Sequence, residues 1–170
     1  MRVHRKPRLP QEIERQAGLE PGERILAFAV DDTTGAHVVA TTSHLVSATA
    51  VRTVLRRPWH EVDAGVWSSD TWTLTVSWVT RSRPVQWTFK EQETRMPETV
   101  HERVQASVVL SEELPLQGRR HSGRVVVRKN LDTGELLTQT VLGRNTRADD
   151  PEVRTAAAHL TAYLREQVGL

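Results

Sequence analysis

The clearest structural signal in the chain is a strict alternation of apolar and polar residues between Thr71 and Val79. Its even-numbered residues, from Trp72 to Trp78, are apolar, whereas the odd-numbered ones up to Ser77 are threonine or serine. A period of two predicts a β-strand with one face in the core. Further segments of strand character lie at 24–30, 37–42, 44–47, 51–55, 62–66 and 85–90. We therefore predict a meander of short antiparallel strands that forms a sandwich or small barrel.

Helical periodicity replaces the strand pattern after residue 96. Pro97 suits the first position of a helix, because the missing N–H of proline would have no partner there. Valines then recur every four residues as far as Val108, and the next two apolar residues extend this face. We predict a helix from Pro97 to about Glu113, which Pro115 cannot continue.

A basic, glycine-bearing segment at 116–123 separates this helix from a second group of elements. Valines within 124–129 predict a strand, and Leu136–Leu142 predicts the strand that returns beside it. Gly134 supplies the positive φ that a tight hairpin turn requires. These residues therefore predict a β-hairpin.

The last element is a helix, since Asp150 before Pro151 is a typical helix start and an apolar stripe continues to Val168. The prediction is an α+β chain in three parts. These parts are a basic arm with a short helix (1–20), a bent antiparallel barrel or sandwich with its C-terminal helix (21–115), and a β-hairpin with a helix (116–170).

An isolated hairpin leaves an apolar face and two strand edges that need cover. The side chains predicted on this face are Val125, Val127, Leu137 and Val141. The C-terminal helix covers part of it, and docking on the barrel or pairing with a second copy would cover the rest. We predict a homodimer to which residues 116–170 contribute.

Composition narrows the possible chemistry. The chain has 170 residues and no cysteine, which excludes a disulfide scaffold, a thiolate nucleophile and cysteine-ligated metals. The seven histidines do not form a His-Glu-x-x-His motif, and neither a Gly-x-Ser-x-Gly turn nor a glycine-rich phosphate loop occurs. We therefore predict a protein without enzymatic activity, cofactor or metal.

Two features bear on localisation. The longest apolar run, Ile25–Val30, is far too short to span a membrane. The basic N-terminus is not followed by the apolar segment of a signal peptide. We expect a cytoplasmic protein.

Six residues are candidates for contact with a partner. Trp67 departs from the parity of Val62–Val66, and Trp59 follows a proline at a strand entry, so both rings are candidates for an exposed or interface position. The others are arginines in predicted turns or linkers. The full set is Trp59, Trp67, Arg81, Arg83, Arg119 and Arg120.

The alternative is electrostatic binding of nucleic acid or an anionic membrane. The formal net charge is only +2, and basic and acidic residues are mostly interleaved. This function would depend on the residues Arg2, Arg5, Lys6, Arg8, Arg119, Arg120, Arg124, Arg128 and Lys129.

The strand meander followed by one helix resembles the pleckstrin-homology-like (PH-like) fold, a bent antiparallel barrel closed at one end by a helix. The chain is also similar to a family of small uncharacterised actinobacterial proteins, through 21–26, 102–110, 115–120, 150–154 and 168–170. Many PH-like proteins bind phosphoinositides through a basic loop, but the matching loop here, 31–35, is acidic. The resemblance thus implies a fold but assigns no activity. We predict a protein-interaction module whose protein partner is unknown.

Overall fold

The computed structural model of the protein describes residues 7–118 and 121–170. Within them the chain forms three antiparallel sheets and three α-helices, which confirms the predicted α+β class. The first seven strands are β1 (Ile25–Val30), β2 (His37–Thr41), β3 (His44–Ala48), β4 (Thr53–Pro58), β5 (Val62–Ser68), β6 (Thr73–Trp78) and β7 (Val85–Thr88). The remaining elements are α1 (Gln11–Ala17), α2 (Met96–Ser107), β8 (Val108–Glu113), β9 (Gly123–Lys129), β10 (Leu136–Leu142) and α3 (Pro151–Gln167).

The first two sheets and α2 form one unit, which we call the two-sheet body. Strands β1 to β4 make one sheet in sequence order, β5 to β7 make the second, and a 3₁₀ turn at Trp59–Glu61 joins them. Leu45 of the first sheet, Leu74 of the second and Val100 of α2 belong to the same buried cluster. Over the described residues, the strands form three separate sheets rather than one closed barrel.

Helix α2 is shorter than its valine pattern predicts. It ends at Ser107, and the residues predicted as its last turns form β8 instead. Strand β8 pairs with β9, for example Leu110 with Val127. Valine fits a pleated sheet better than a helix, so an available neighbouring strand outweighs the four-residue repeat. The third sheet therefore has three strands, in the order β10-β9-β8.

A β-bulge in β5 reverses the faces that simple alternation assigns to this strand. The register with β6 shifts between Val62 and Ala64. As a result Trp67 packs against the core, whereas Val66 is 63% exposed on the outer face. A bulge adds one residue to one strand, which moves every later side chain to the other face.

The third sheet and α3 form a second unit, which we call the C-terminal unit. Val125 and Val127 pack against the Val153 and Leu164 side chains of α3. The helix begins as its sequence predicts, because the Asp150 side chain accepts a hydrogen bond from the Glu152 N–H at 2.9 Å.

Two of the four side chains predicted on the apolar face of the hairpin lie on its opposite face. Val125 lies opposite Thr140 and Val127 opposite Thr138, so these four side chains share the face that α3 covers. Leu137 and Val141 pair with Arg128 and Arg124 and lie on the other face. The six residues between the strands set this register, which strand parity alone did not reveal.

Arg128 connects the two units. Its side chain is buried, with 2% of the residue exposed, and its guanidinium donates to the Trp59 and Val62 carbonyl oxygens at 2.7 and 2.9 Å. It also donates to the Ser107 hydroxyl oxygen at 2.6 Å. Burial, partly offset by Asp63, lowers the pKa of Arg128 to about 10. The β9 face that points away from α3 is thus docked on the two-sheet body.

Candidate functional site: the groove beside strand β10

A large open depression lies between β10 and α3. It consists of two adjoining parts of about 750 and 610 Å³, both of which are lined by Thr140, Ala157 and Ala158. One part extends to Leu142 at the end of β10, and the other extends to Leu170. We call this continuous depression the β10 groove.

The β10 groove is open because of where its strand and helix lie. Strand β10 is at the edge of the third sheet, so its outer backbone N–H and C=O groups have no partner strand among the described residues. The apolar stripe of α3 packs mainly over the central strand β9. The flank of α3 beside β10 carries small residues, including Ala158, Thr161 and Ala162. Their short side chains do not fill the space above the strand edge.

Two arginines give the β10 groove its charge. Arg154 and Arg165 both line it, and they are eleven residues apart on α3. Eleven residues are close to three helical turns, which places both on one side of the helix about 16 Å apart. Across the described segments, neither guanidinium takes part in an ion pair. Glu166 is the acidic residue of the lining.

The first predicted contact residue, Trp59, is not on the surface. Its side chain is 0% exposed and belongs to the core of the two-sheet body. The indole N–H donates to the Thr41 carbonyl oxygen at 2.9 Å. The structure rules out Trp59 as a surface candidate, because the 3₁₀ turn folds its ring back between the sheets.

The second predicted contact residue, Trp67, is half-buried. Its ring stacks on Phe89 at 6.3 Å between centroids and meets Trp72 edge to face at 6.5 Å. Trp72 was expected in the core, but it is 38% exposed and lies in the β5–β6 turn with a φ of 55°. Strand β6 begins one residue later, so Trp72 does not share the face of Leu74.

Two of the predicted arginines, Arg81 and Arg83, do not line the β10 groove. Arg81 and Arg83 lie in the β6–β7 turn, where the Arg81 guanidinium donates to the Thr146 carbonyl oxygen at 2.5 Å. That bond connects the turn to the segment between β10 and α3. Arg119 and Arg120 lie outside the described residues.

Two of the basic residues predicted to bind phosphates make contacts within the protein instead. Arg124 forms an ion pair with Asp63. Arg128 is buried between the two units and is not accessible to a phosphate, which corrects its place in that set. Arg8 and Lys129 are exposed. Arg2, Arg5 and Lys6 lie outside the described residues.

Sequence reasoning missed the β10 groove, although parts of it left a trace. Residues 156–158 are three consecutive alanines on the last helix, and the spacing of Arg154 and Arg165 puts them on one side. Neither pattern shows that β10 is an unpaired edge, because that depends on the sheet order.

Within the described segments, no helix is both long and apolar enough to span a membrane, and no three His, Asp or Glu side chains are grouped to hold a metal ion. Comparison with known proteins found no matching family model, no matching curated protein and no matching solved structure.

Proposed function

We propose that the protein is a non-enzymatic protein-interaction module of the cytoplasm, and that the β10 groove is its docking surface. The observation that carries this proposal is the combination of a strand edge that no other described strand pairs with and an open groove above it. An extended chain segment that pairs with β10 would continue the sheet, and its alternate side chains would enter the groove.

The two-sheet body acts as the scaffold in this proposal. Two packed antiparallel sheets followed by α2, all sharing one core, support the resemblance to a PH-like domain. Arg128 and the Arg81–Thr146 hydrogen bond hold the C-terminal unit on this scaffold. A docking surface built on fixed elements binds with a smaller loss of conformational entropy than one built on loops.

The test is selection of binding peptides from a random peptide library displayed on phage, with the full chain as bait. The wild-type protein should enrich peptides that slow amide hydrogen exchange within residues 136–142. Ala158→Trp fills the groove from an exposed position and should abolish their binding. Gln167→Trp adds the same ring to an exposed α3 position outside the groove lining and should leave binding intact.

Two outcomes would overturn the proposal. One is selected peptides that bind Ala158→Trp as well as they bind the wild-type protein. The other is exchange protection confined to the two-sheet body, which would place the docking surface there.

A further inference from the structure

We infer that the occupant of the β10 groove is an extended acidic segment of another protein, with carboxylates that contact Arg154 and Arg165. This inference rests on the proposed function and adds the chemistry of the ligand. The segment would pair with β10 through its main chain and turn every second side chain toward α3.

Helix geometry places four groove residues on one side of α3. At 3.6 residues per turn, Arg154, Ala158, Thr161 and Arg165 fall within about 60° of one another around the helix axis. Glu166 lies about 100° further round than Arg165, away from the centre of this side. The lining therefore presents a positive charge at each end and two small residues between them.

Strand geometry then predicts the spacing of the ligand. Side chains on one face of a strand recur about every 7 Å, so acidic residues four or six positions apart are separated by about 14 or 20 Å. Either distance is close to the ~16 Å between the two arginines, and their long side chains can bridge the difference. A single apolar side chain in the middle would lie over Ala158 and Thr161.

Charge argues against a second copy of this chain as the occupant. Two β10 edges related by a two-fold axis would set two α3 helices antiparallel, with their groove sides facing each other. Packing about the helix midpoint would place Ala158 opposite Thr161 of the second copy, and Arg154 opposite Arg165 of the second copy. The like charges would repel, whereas an acidic segment would meet both arginines favourably.

The probe is a fluorescein-labelled nonapeptide with the core Glu-Thr-Val-Thr-Glu between flanking threonines, measured by fluorescence anisotropy with the full-length protein. Binding should weaken about threefold to tenfold for Arg154→Glu or Arg165→Glu, and more for the double variant. A peptide with lysines in place of both glutamates should show the reverse preference and bind the double variant better. Arg52→Glu reverses an exposed arginine in the β3–β4 turn and should have no effect.

A second control separates the ligand's charge from strand pairing. Methylating alternate backbone nitrogens of the probe removes its N–H donors without changing its side chains, and this should abolish binding and the exchange protection at residues 136–142. A glutamine version of the probe that binds as tightly as the glutamate one would overturn the acidic assignment while leaving strand docking at β10 supported.

Two results would reject the assignment in other ways. If no peptide slows amide hydrogen exchange at residues 136–142, the result would contradict the proposed function itself. A mass that rises from about 19 kDa to twice that value in light scattering, and returns to the monomer in Ala158→Trp, would assign the groove to a second copy.

Discussion

Glu23 shows how one buried carboxylate organises the end of the first sheet. It accepts hydrogen bonds from the Glu20 N–H at 2.8 Å, from Arg56 at 2.9 Å and from the Thr41 hydroxyl, and it pairs with His44 at 2.9 Å. Burial raises the pKa of Glu23, but the hydrogen bonds from Glu20, Thr41 and His44 outweigh it and hold the pKa below 4.5. The carboxylate therefore remains ionised in the folded protein.

Acid should weaken the fold through Glu23. Because its folded pKa is lowered, the stabilisation is complete above about pH 4.5 and is lost as the pH falls through the lowered value. Glu23→Gln should be less stable than the wild-type protein at about pH 7, and the difference should shrink toward about pH 3. Urea unfolding midpoints across this range would measure it.

Burial lowers the pKa values of His37 and His60, so these histidines also favour unfolding on acidification. Both are present in the wild-type protein and in Glu23→Gln, so the difference in stability between these two proteins reports on Glu23. Glu12→Gln, at an exposed position of α1, serves as the matched control. A difference between Glu23→Gln and the wild-type protein that stays constant with pH would show that the side chain acts through its shape and not through its charge.

At the scale of the elements, α2 packs tightly against the second sheet at Gly65. A Cβ atom at Gly65 would lie 2.6 Å from the Cγ1 atom of Val100, which is closer than carbon atoms pack. This glycine follows the β5 bulge and faces the core with Trp67. The bulge and the glycine together let the helix rest directly on the strand.

Adding a methyl group at Gly65 should therefore cost stability. We expect Gly65→Ala to destabilise the protein by about 1–3 kcal/mol, because the helix must move or Val100 must change rotamer. In a Val100→Ala background, which removes the clashing atom, the same substitution should cost less than half as much. Urea unfolding of the wild-type protein, the two single variants and the double variant measures this double-mutant cycle. An equal loss of stability from Gly65→Ala in both backgrounds would contradict this account.

The elements also show how far sequence reasoning reaches. The alternation of β6 and the helix start at Asp150 are local features, and both were predicted. The end of α2 at Ser107 and the β5 bulge depend on which strands pair, and neither was predicted. The β10 groove was missed for the same reason, since an unpaired edge exists only once the order of the sheet is known.

At the scale of the whole molecule, the buried part of the contact between the two units contains a charged group that has no carboxylate bonded to it among the described residues. The guanidinium of Arg128 donates hydrogen bonds to two backbone carbonyl oxygens and to the Ser107 hydroxyl oxygen. Removing it would leave buried acceptors without donors on the other side of the contact. The stability of the C-terminal unit is thereby coupled to that of the two-sheet body.

Arg128→Met should lower the free energy of unfolding by about 3 kcal/mol and uncouple the units. All five tryptophans lie between residues 59 and 87, so their fluorescence reports on the two-sheet body alone. In the wild-type protein the fluorescence and circular dichroism transitions should coincide, whereas in the variant the dichroism should change first. The exposed Lys129→Met is the control, and coincident transitions in Arg128→Met would refute the coupling.

The bonding pattern of Arg128 has a consequence for which substitutions the link between the units tolerates. Trp59 and Val62 contribute only main-chain oxygen atoms, which every amino acid possesses. Substitution of either side chain would leave these two hydrogen bonds intact, provided that the backbone conformation does not change. Ser107 contributes a hydroxyl, so only threonine could replace it in kind. This hydrogen-bonded link between the units is therefore most sensitive to substitution at Arg128 and Ser107.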